Sequence, residues 1–437
     1  MPVGLAPVSA QAKRPGSAMF GTVGAAMEWY DFTLYVYLAP VISQLFFPAA
    51  DPLDSLLATF GVFATGYVVR PLGAAVLGNI GDTRGRKVAL GLSIALMAAA
   101  MLVIALLPTE STIGVAAPIA LIVLRLIQGF SLGGEFSGSI VLLQESAAPE
   151  RRGFITNLVQ ISTGAGVLLS AGSVALLHAV FTDAQMADFG WRIPFLGGAA
   201  IGVVALALLR TRVVESTEFE PEGPAPPEVP LKTLLRDERR PLALNFLLNG
   251  HQSLIYYVVA TFVPTFVTSI LGGPPEEALL ASAVSALTFM VLCPPAGAWS
   301  DRVGRRPLLA AAAIAMAVTG LPLFLLISEV TFLAVLAGQL ALMTLVVVFT
   351  SPALVTATEL FPARTRYSGV AVGYNLGAAV FGGTAPLLAT ALIKVTGYDQ
   401  APGLLLAAAS LLVLIVIAKT PETAPARIDR QGDRQWS

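Results

Sequence analysis

Polar and apolar positions along this chain do not alternate; they separate into long blocks. Twelve apolar blocks of roughly 20 or more residues, long enough to cross a bilayer as helices, lie near 18–46, 55–79, 88–107, 115–143, 154–181, 192–211, 241–270, 278–299, 307–327, 331–357, 367–393 and 402–419. None shows the period-two pattern of a membrane strand. The blocks predict an all-α integral membrane protein with twelve transmembrane helices. The first block is too long for the apolar core of a cleavable signal, about 7–15 residues, and reads as a first span.

Composition sharpens this picture. The chain has 437 residues, of which 56% are hydrophobic and 12% charged. A soluble domain is about a quarter charged, so part of this surface must face lipid. Charge sorting then sets the orientation. Of the 26 lysines and arginines, 22 fall on the side of Lys13 and Arg14, two (Arg192 and Lys394) on the other side, and two (Arg70 and Arg125) inside spans. Positive charge marks cytoplasmic segments, so both termini are expected in the cytoplasm. The only cysteine is Cys293, and the only histidines are His178 and His251. No disulfide framework, metal site or cofactor is therefore expected. No G-x-x-x-x-G-K-[ST] loop is present, which argues against ATP coupling. No His-rich or Asp-rich loop cluster offers a membrane enzyme its chemistry.

The chain repeats itself. "GNIGDTRGRK" (78–87) follows the second block and "GAWSDRVGRR" (297–306) follows the eighth. Both fit G-x-x-x-D-x-x-G-R-[KR], through Gly78, Asp82, Gly85 and Arg86 in one copy and Gly297, Asp301, Gly304 and Arg305 in the other. A tight helix–helix turn needs glycine for positive φ. The aspartates can accept from N–H groups at a neighbouring helix N-terminus, and the arginines can pair with carboxylates. These loops are expected to gate the cytoplasmic face. Glu145 precedes Arg152 by seven residues and Glu359 precedes Arg366 by seven, a second repeated pair. The layout is then a tail (1–16), a six-helix bundle (17–212), a charged, proline-rich cytoplasmic linker (213–240), a second six-helix bundle (241–419) and a C-terminal tail (420–437).

Five charged residues fall inside spans: Glu28, Asp31, Arg70, Arg125 and Glu135, all in the first half. At about 1.5 Å per helical residue they form a ladder roughly 14–28 Å above the inner end. Three acids and two bases leave one carboxylate uncompensated, which favours its protonation. Asp31, Glu28 and Glu135 are candidates for proton coupling. Arg125, Arg70 and Gln128 are candidates for binding solute, with Tyr30, Asn249, Gln252, Tyr256 and Asn375. Asn249, Gln252 and Tyr256 form one helical stripe in span seven. Two readings of the charges stand: ion pairs locking helices one, two and four, or solute and proton sites. Intramembrane ionisable groups are functional by default. Arg125 is expected to pair with Asp31 in the empty site. His251 reads as a packed, hydrogen-bonding residue, and Pro264 as a break in span seven.

Twelve spans in two halves with these loops resemble the major facilitator superfamily, whose halves are related by a parallel repeat. More narrowly, "EWYDF" (28–32), "RPLG" (70–73), "RLIQGFSLGGE" (125–135), "ERRGF" (150–154) and "GWRIPF" (190–195) resemble the metabolite:proton symporter family. That resemblance implies proton-coupled uptake of a small carboxylate or zwitterion, such as proline, betaine, shikimate or oxoglutarate. Citrate-type members differ in span one and lack "GGE", which sets citrate aside. The antiporter glycine-proline motif is absent from span five. The expected partners are a small metabolite, protons and lipid, with no nucleic acid. A monomer in the cell inner membrane is expected.

Overall fold

A computed structural model describes residues 16–84, 86–132, 135–212, 234, 236–363 and 365–425, without the side chains of residues 16–25, 75, 78, 79, 81–84, 86, 135, 210 and 212. Every element among the described residues is helical. In hydrocarbon, backbone N–H and C=O groups must be paired within the segment, which a helix alone achieves for a single span. The first half holds α1 (Gly16–Tyr37), α2 (Pro52–Arg84), α3 (Arg86–Leu106), α4 (Ala116–Ser131 and Glu135–Ser146), α5 (Val159–Val180) and α6 (Arg192–Arg212). The second holds α7 (Arg239–Tyr257), α8 (Pro275–Val303), α9 (Arg305–Ile327), α10 (Phe332–Glu359), α11 (Arg366–Gly377 and Ala385–Thr396) and α12 (Ala401–Lys419). Eleven helices among the described residues are long and apolar enough to cross a membrane; α1, whose first residues lack described side chains, is the twelfth.

The boundaries differ in detail from the apolar blocks. The first block is α1 followed by Ala39–Phe46, joined by a turn at Leu38 whose N–H still donates to the Leu34 carbonyl at 3.0 Å. Pro264 does not break α7. The helix continues beyond Tyr257 through π-turns at Val258–Phe262 and Phe266–Ile270. Widened turns absorb the proline's missing N–H while neighbouring helices bury the freed carbonyls.

Packing repeats between the halves. In the first half α1 packs on α5, α2 on α4, and α3 on α6; in the second, α7 packs on α11, α8 on α10, and α9 on α12. The halves meet chiefly through α5 on α8 and α2 on α11, two contacts exchanged by the same relation. Outward-facing side chains such as Val68, Ile314 and Leu411 are exposed and apolar, as lipid requires.

Both ends of the interface are closed. At the basic-loop end, α8 carries Asp301, whose carboxylate accepts from the N–H of Gly153 (2.9 Å) and Phe154 (3.3 Å). These donors open the short helix Arg152–Thr156 that leads into α5. Asn157 Nδ2 donates to the carbonyls of Gly153 (2.8 Å) and Ser351 (3.0 Å), and Arg366 meets Glu145 across the halves at 2.9 Å. At the opposite end, Lys394 of α11 pairs with Asp51 (3.0 Å) and with Asp54 at the start of α2. The Leu53 N–H and the Lys394 ammonium hold the Asp51 carboxyl below its ordinary range.

Candidate functional site

The intramembrane charges form two ion pairs on one helix face. Asp31 of α1 is fully buried, and Arg125 Nη1 of α4 lies 3.3 Å from its Oδ2. Gln128 Nε2 donates to Asp31 Oδ1 at 2.6 Å, and Arg125 Nη1 donates to Gln128 Oε1 at 3.0 Å. The expected pairing of Arg125 with Asp31 is present, closed into a triangle by Gln128. One turn earlier, Glu28 lies 3.6 Å from Arg70 of α2. Phe32 lies between the pairs: Arg70 stacks 4.3 Å and Arg125 5.8 Å from its ring centre. Arg70 also lies over Tyr67 (4.1 Å), and Arg125 over Tyr35 (3.8 Å).

The two pairs are unequal. Among the described residues Asp31 has two hydrogen-bond donors, whereas Glu28 has only a long ion pair and its Oε2 is buried without a partner. Arg70 Nε and Arg125 Nε and Nη2 are buried and unpartnered too. Taking an ion out of water costs several kcal/mol, and an unmatched buried donor about 1–3 kcal/mol. Both guanidinia thus keep spare donors among the described residues. The Glu135 side chain lies outside the described residues.

A small cavity lies between the halves; neither Glu28 nor Arg70 lines it, but Tyr374 of its wall is within electrostatic reach of both. Trp29, Phe136, Gln160, Thr163, Gln252, Tyr256, Phe289, Leu354 and Tyr374 line it. Trp29 packs edge-on to Tyr256 (5.4 Å) and stacks with Tyr257 (6.0 Å), and Phe136 meets Tyr374 at 5.2 Å. Tyr257 also hydrogen-bonds Tyr67, which carries Arg70 on its face. Arg70 is close enough to Tyr257 and Tyr374 to interact electrostatically with both. The ring cluster therefore ties the second half to the charges of the first.

Of the residues expected to bind solute, Gln252 and Tyr256 line this cavity; Arg70, Arg125, Gln128, Tyr30, Asn249 and Asn375 do not. Tyr30 donates its hydroxyl to the Pro194 carbonyl at 2.8 Å, which turns it toward α6. Asn249 donates to Asn245 Oδ1 (2.5 Å) and Asn245 O (3.1 Å), and Asn375 donates to Ala371 O at 2.9 Å. Helical stripes are wide, and the ends of these two turn back onto their own helices. His251 packs edge-on to Phe349 at 4.6 Å, the packing expected of it, but neither ring nitrogen has the expected hydrogen-bond partner among the described residues. Gln160, Thr163 and Phe136 are cavity residues that the sequence reading passed over. A signal existed: Gln160 and Thr163 are polar, three apart, on one face of an otherwise apolar, glycine-rich span.

Of the two repeated loops, only the second is described. Gly78, Asp82 and Arg86 lack described side chains, and Gly85 lies outside the described residues. In the second, Gly304 has φ of 111°, which a side chain would strain. Arg305 is fully buried, 2.7 Å from Asp301 and 3.3 Å from Glu359. Glu422, in the tail, accepts from the N–H of Arg305 (2.8 Å) and Arg306 (3.2 Å) at the start of α9. Asp301→Asn should loosen this end, because hydrogen bonds to a charged group contribute about 1.5–3 kcal/mol. Labelling of cysteines placed at the basic-loop ends of α5 and α8 should speed about tenfold or more, a change of 1.4 kcal/mol or more. Unchanged labelling would show that Asp301 does not hold the face closed.

The geometry of two six-helix halves around a closed central cavity agrees with comparisons to known proteins. The Major Facilitator Superfamily model matches residues 21–272 and 246–436. An ectoine/proline transporter of Corynebacterium glutamicum is 35% identical over 411 residues, covering 90% of this chain and 81% of the relative. A citrate-proton symporter of Klebsiella pneumoniae is 34% identical, covering 92% of this chain and 90% of the relative. This chain belongs to the major facilitator superfamily. Within it, these relatives place the chain in the metabolite:proton symporter family. A xylose transporter of E. coli in an inward-open conformation shares the fold, with a TM-score of 0.75 and 17% identity over 94% of this chain and 97% of its own. The chain is thus a multi-pass membrane protein, and its superfamily relatives are transporters. Similarity to the citrate-proton symporter is as high as to the ectoine/proline transporter, so family membership does not set citrate aside.

Proposed function

We propose that this protein is a proton-coupled importer of a small zwitterion or carboxylate, acting by alternating access in the cell inner membrane. The observation that carries this reading is the pair of buried Arg–carboxylate contacts with spare polar atoms beside a closed cavity between the halves. Planar guanidinia bind carboxylates bidentately and stay charged, which suits solute capture. The aromatic lining suits the cationic end of a zwitterion. The basic loops face the cytoplasm in this reading, both termini lie there, and a single chain is the transport unit. The protein carries out no covalent chemistry.

The coupling scheme follows from charge. In the empty site Arg125 and Arg70 are each held by an acid. An arriving carboxylate competes for a guanidinium, and the displaced acid, left in a dry site, takes up a proton. For a carboxylate, solute charge and proton then cancel, so the loaded site can close without an uncompensated ion; a zwitterion is already neutral, and its proton instead offsets the third intramembrane carboxylate, Glu135. Arg70 and Glu28, beside the cavity, meet the solute first. Asp31, Arg125 and Gln128 respond behind Phe32. Glu135 is kept as a third proton candidate.

The test is uptake into proteoliposomes under an inward proton gradient, with a panel of zwitterions and organic acids, paired with calorimetric binding across pH. Accumulation should require the gradient. Arg125→Lys should lose it, since a point charge lacks the fork. Arg125→Gln should weaken solute binding and change the protons exchanged per solute bound. Uptake that merely follows the solute gradient would mark a facilitator. Unchanged affinity and proton exchange in Arg125→Gln would reduce that residue to a structural role.

A further inference from the structure

Four side chains lining the central cavity carry buried polar atoms with no hydrogen-bond partner among the described residues: Trp29 Nε1, Gln160 Oε1, Thr163 Oγ1 and Gln252 Oε1. Their residues are 7%, 2%, 1% and 7% exposed, so water does not replace the missing partners from outside. They come from α1, α5 and α7, and therefore from both halves. Tyr256 and Tyr374 complete the wall.

An aromatic box alone would suit a fully methylated ammonium, which binds through its charge over ring faces. This box is not aromatic alone. Each carboxamide offers N–H donors on one side and a carbonyl acceptor on the other, Thr163 offers a hydroxyl, and Trp29 offers an N–H. Whichever way a carboxamide is turned, a methyl group matches neither side. A trimethylammonium seated here would leave four polar groups dry and unpaired. A group bearing N–H or O–H would pair the two carboxamide oxygens and the Thr163 hydroxyl, whereas the Trp29 N–H needs an acceptor, which a hydroxyl or the solute's carboxylate supplies. Sites built to hydrogen-bond a solute discriminate strongly against analogues that lack the bonding hydrogen.

We infer that the solute's end remote from its carboxylate carries N–H or O–H donors, as a primary or secondary ammonium or a hydroxylated ring does, and that Gln160, Thr163 and Gln252 read that end. The quaternary ammonium class is thereby disfavoured. This rests on the symport reading above and deepens it by narrowing the solute class.

The experiment uses the full protein in proteoliposomes under an inward proton gradient. The solutes are matched: glycine against trimethylglycine, proline against N,N-dimethylproline, and shikimate as a hydroxylated acid without nitrogen. At least one donor-bearing solute should accumulate, and any methylated partner should be at least about tenfold poorer, the step that 1.4 kcal/mol represents. Gln160→Leu and Gln252→Leu should narrow that preference. A methylated compound taken up as well as or better than its partner overturns the inference, even if every Gln variant misfolds. So does a preference that both folded Gln variants leave unchanged. Uptake of none of the five overturns this inference; the symport reading then stands if another zwitterion or organic acid, citrate included, accumulates under the gradient, and falls if none does.

Discussion

Asp31→Asn is expected to abolish gradient-driven accumulation while the protein remains in the membrane. Asparagine keeps the shape of the side chain and one carbonyl oxygen for Gln128 or Arg125, which now lie 2.6 Å and 3.3 Å from the carboxylate. It cannot bind and release a proton. Removing one member of a buried ion pair strands the other, at about 3–5 kcal/mol, so loss of protein is the competing outcome. The double variant Asp31→Asn with Arg125→Gln separates the two causes. It removes the pair as a unit, which is often near neutral for stability. It should be folded and inactive in gradient-driven uptake. Full accumulation by the double variant would sink the coupling role and leave Asp31 and Arg125 as a structural clamp.

Gly153→Val should hold the basic-loop face open. A Cβ on Gly153 would collide with the Gly297 carbonyl oxygen and lie 2.7 and 2.8 Å from the carboxylate oxygens of Asp301. A Cβ on Gly297 would meet the Gly153 carbonyl in turn. The two helices touch here backbone to backbone, with no side chain able to give way. Overpacking costs about 1–3 kcal/mol, enough to move a two-state equilibrium roughly 5- to 150-fold. Turnover should fall at least about tenfold, and spin-label distances between the ends of α5 and α8 should lengthen. The fold should survive, because the strain is relieved by opening rather than by unfolding. Normal distances and normal turnover in Gly153→Val would show that this contact is not the closing surface.

Much of this protein is written in one dimension. Lipid forbids unpaired backbone, so an apolar block of spanning length has one stable answer, and the twelve blocks become helices. The repeated loop "GAWSDRVGRR" likewise announced its parts: Gly304 takes a positive φ, Asp301 accepts from a helix N-terminus, and Arg305 is paired. The Arg125–Asp31 contact was legible because Asp31 was the nearest acid by estimated depth. These are local or scalar properties: length, hydropathy, charge count and height along a helix.

Which side of a helix faces the solute is not such a property. Tyr30, next to Asp31 in sequence, turns to α6, while its other neighbour Trp29 faces the cavity. Asn249 and Gln252 share a stripe, yet only Gln252 reaches the cavity, because Asn245 captures Asn249. Gln160 and Thr163 gain their place only because α5 is drawn against α8 at the half interface. The sequence alone determined the membrane solvent, the number of helices, the duplication and the placement of charge inside the spans, because each follows from a residue and its near neighbours. Only the tertiary structure decided the helix rotations, the split of the charges into two unequal pairs around Phe32 and the membership of the cavity, because those depend on contacts between residues far apart in the chain, 42 positions for Glu28 and Arg70 and 94 for Asp31 and Arg125.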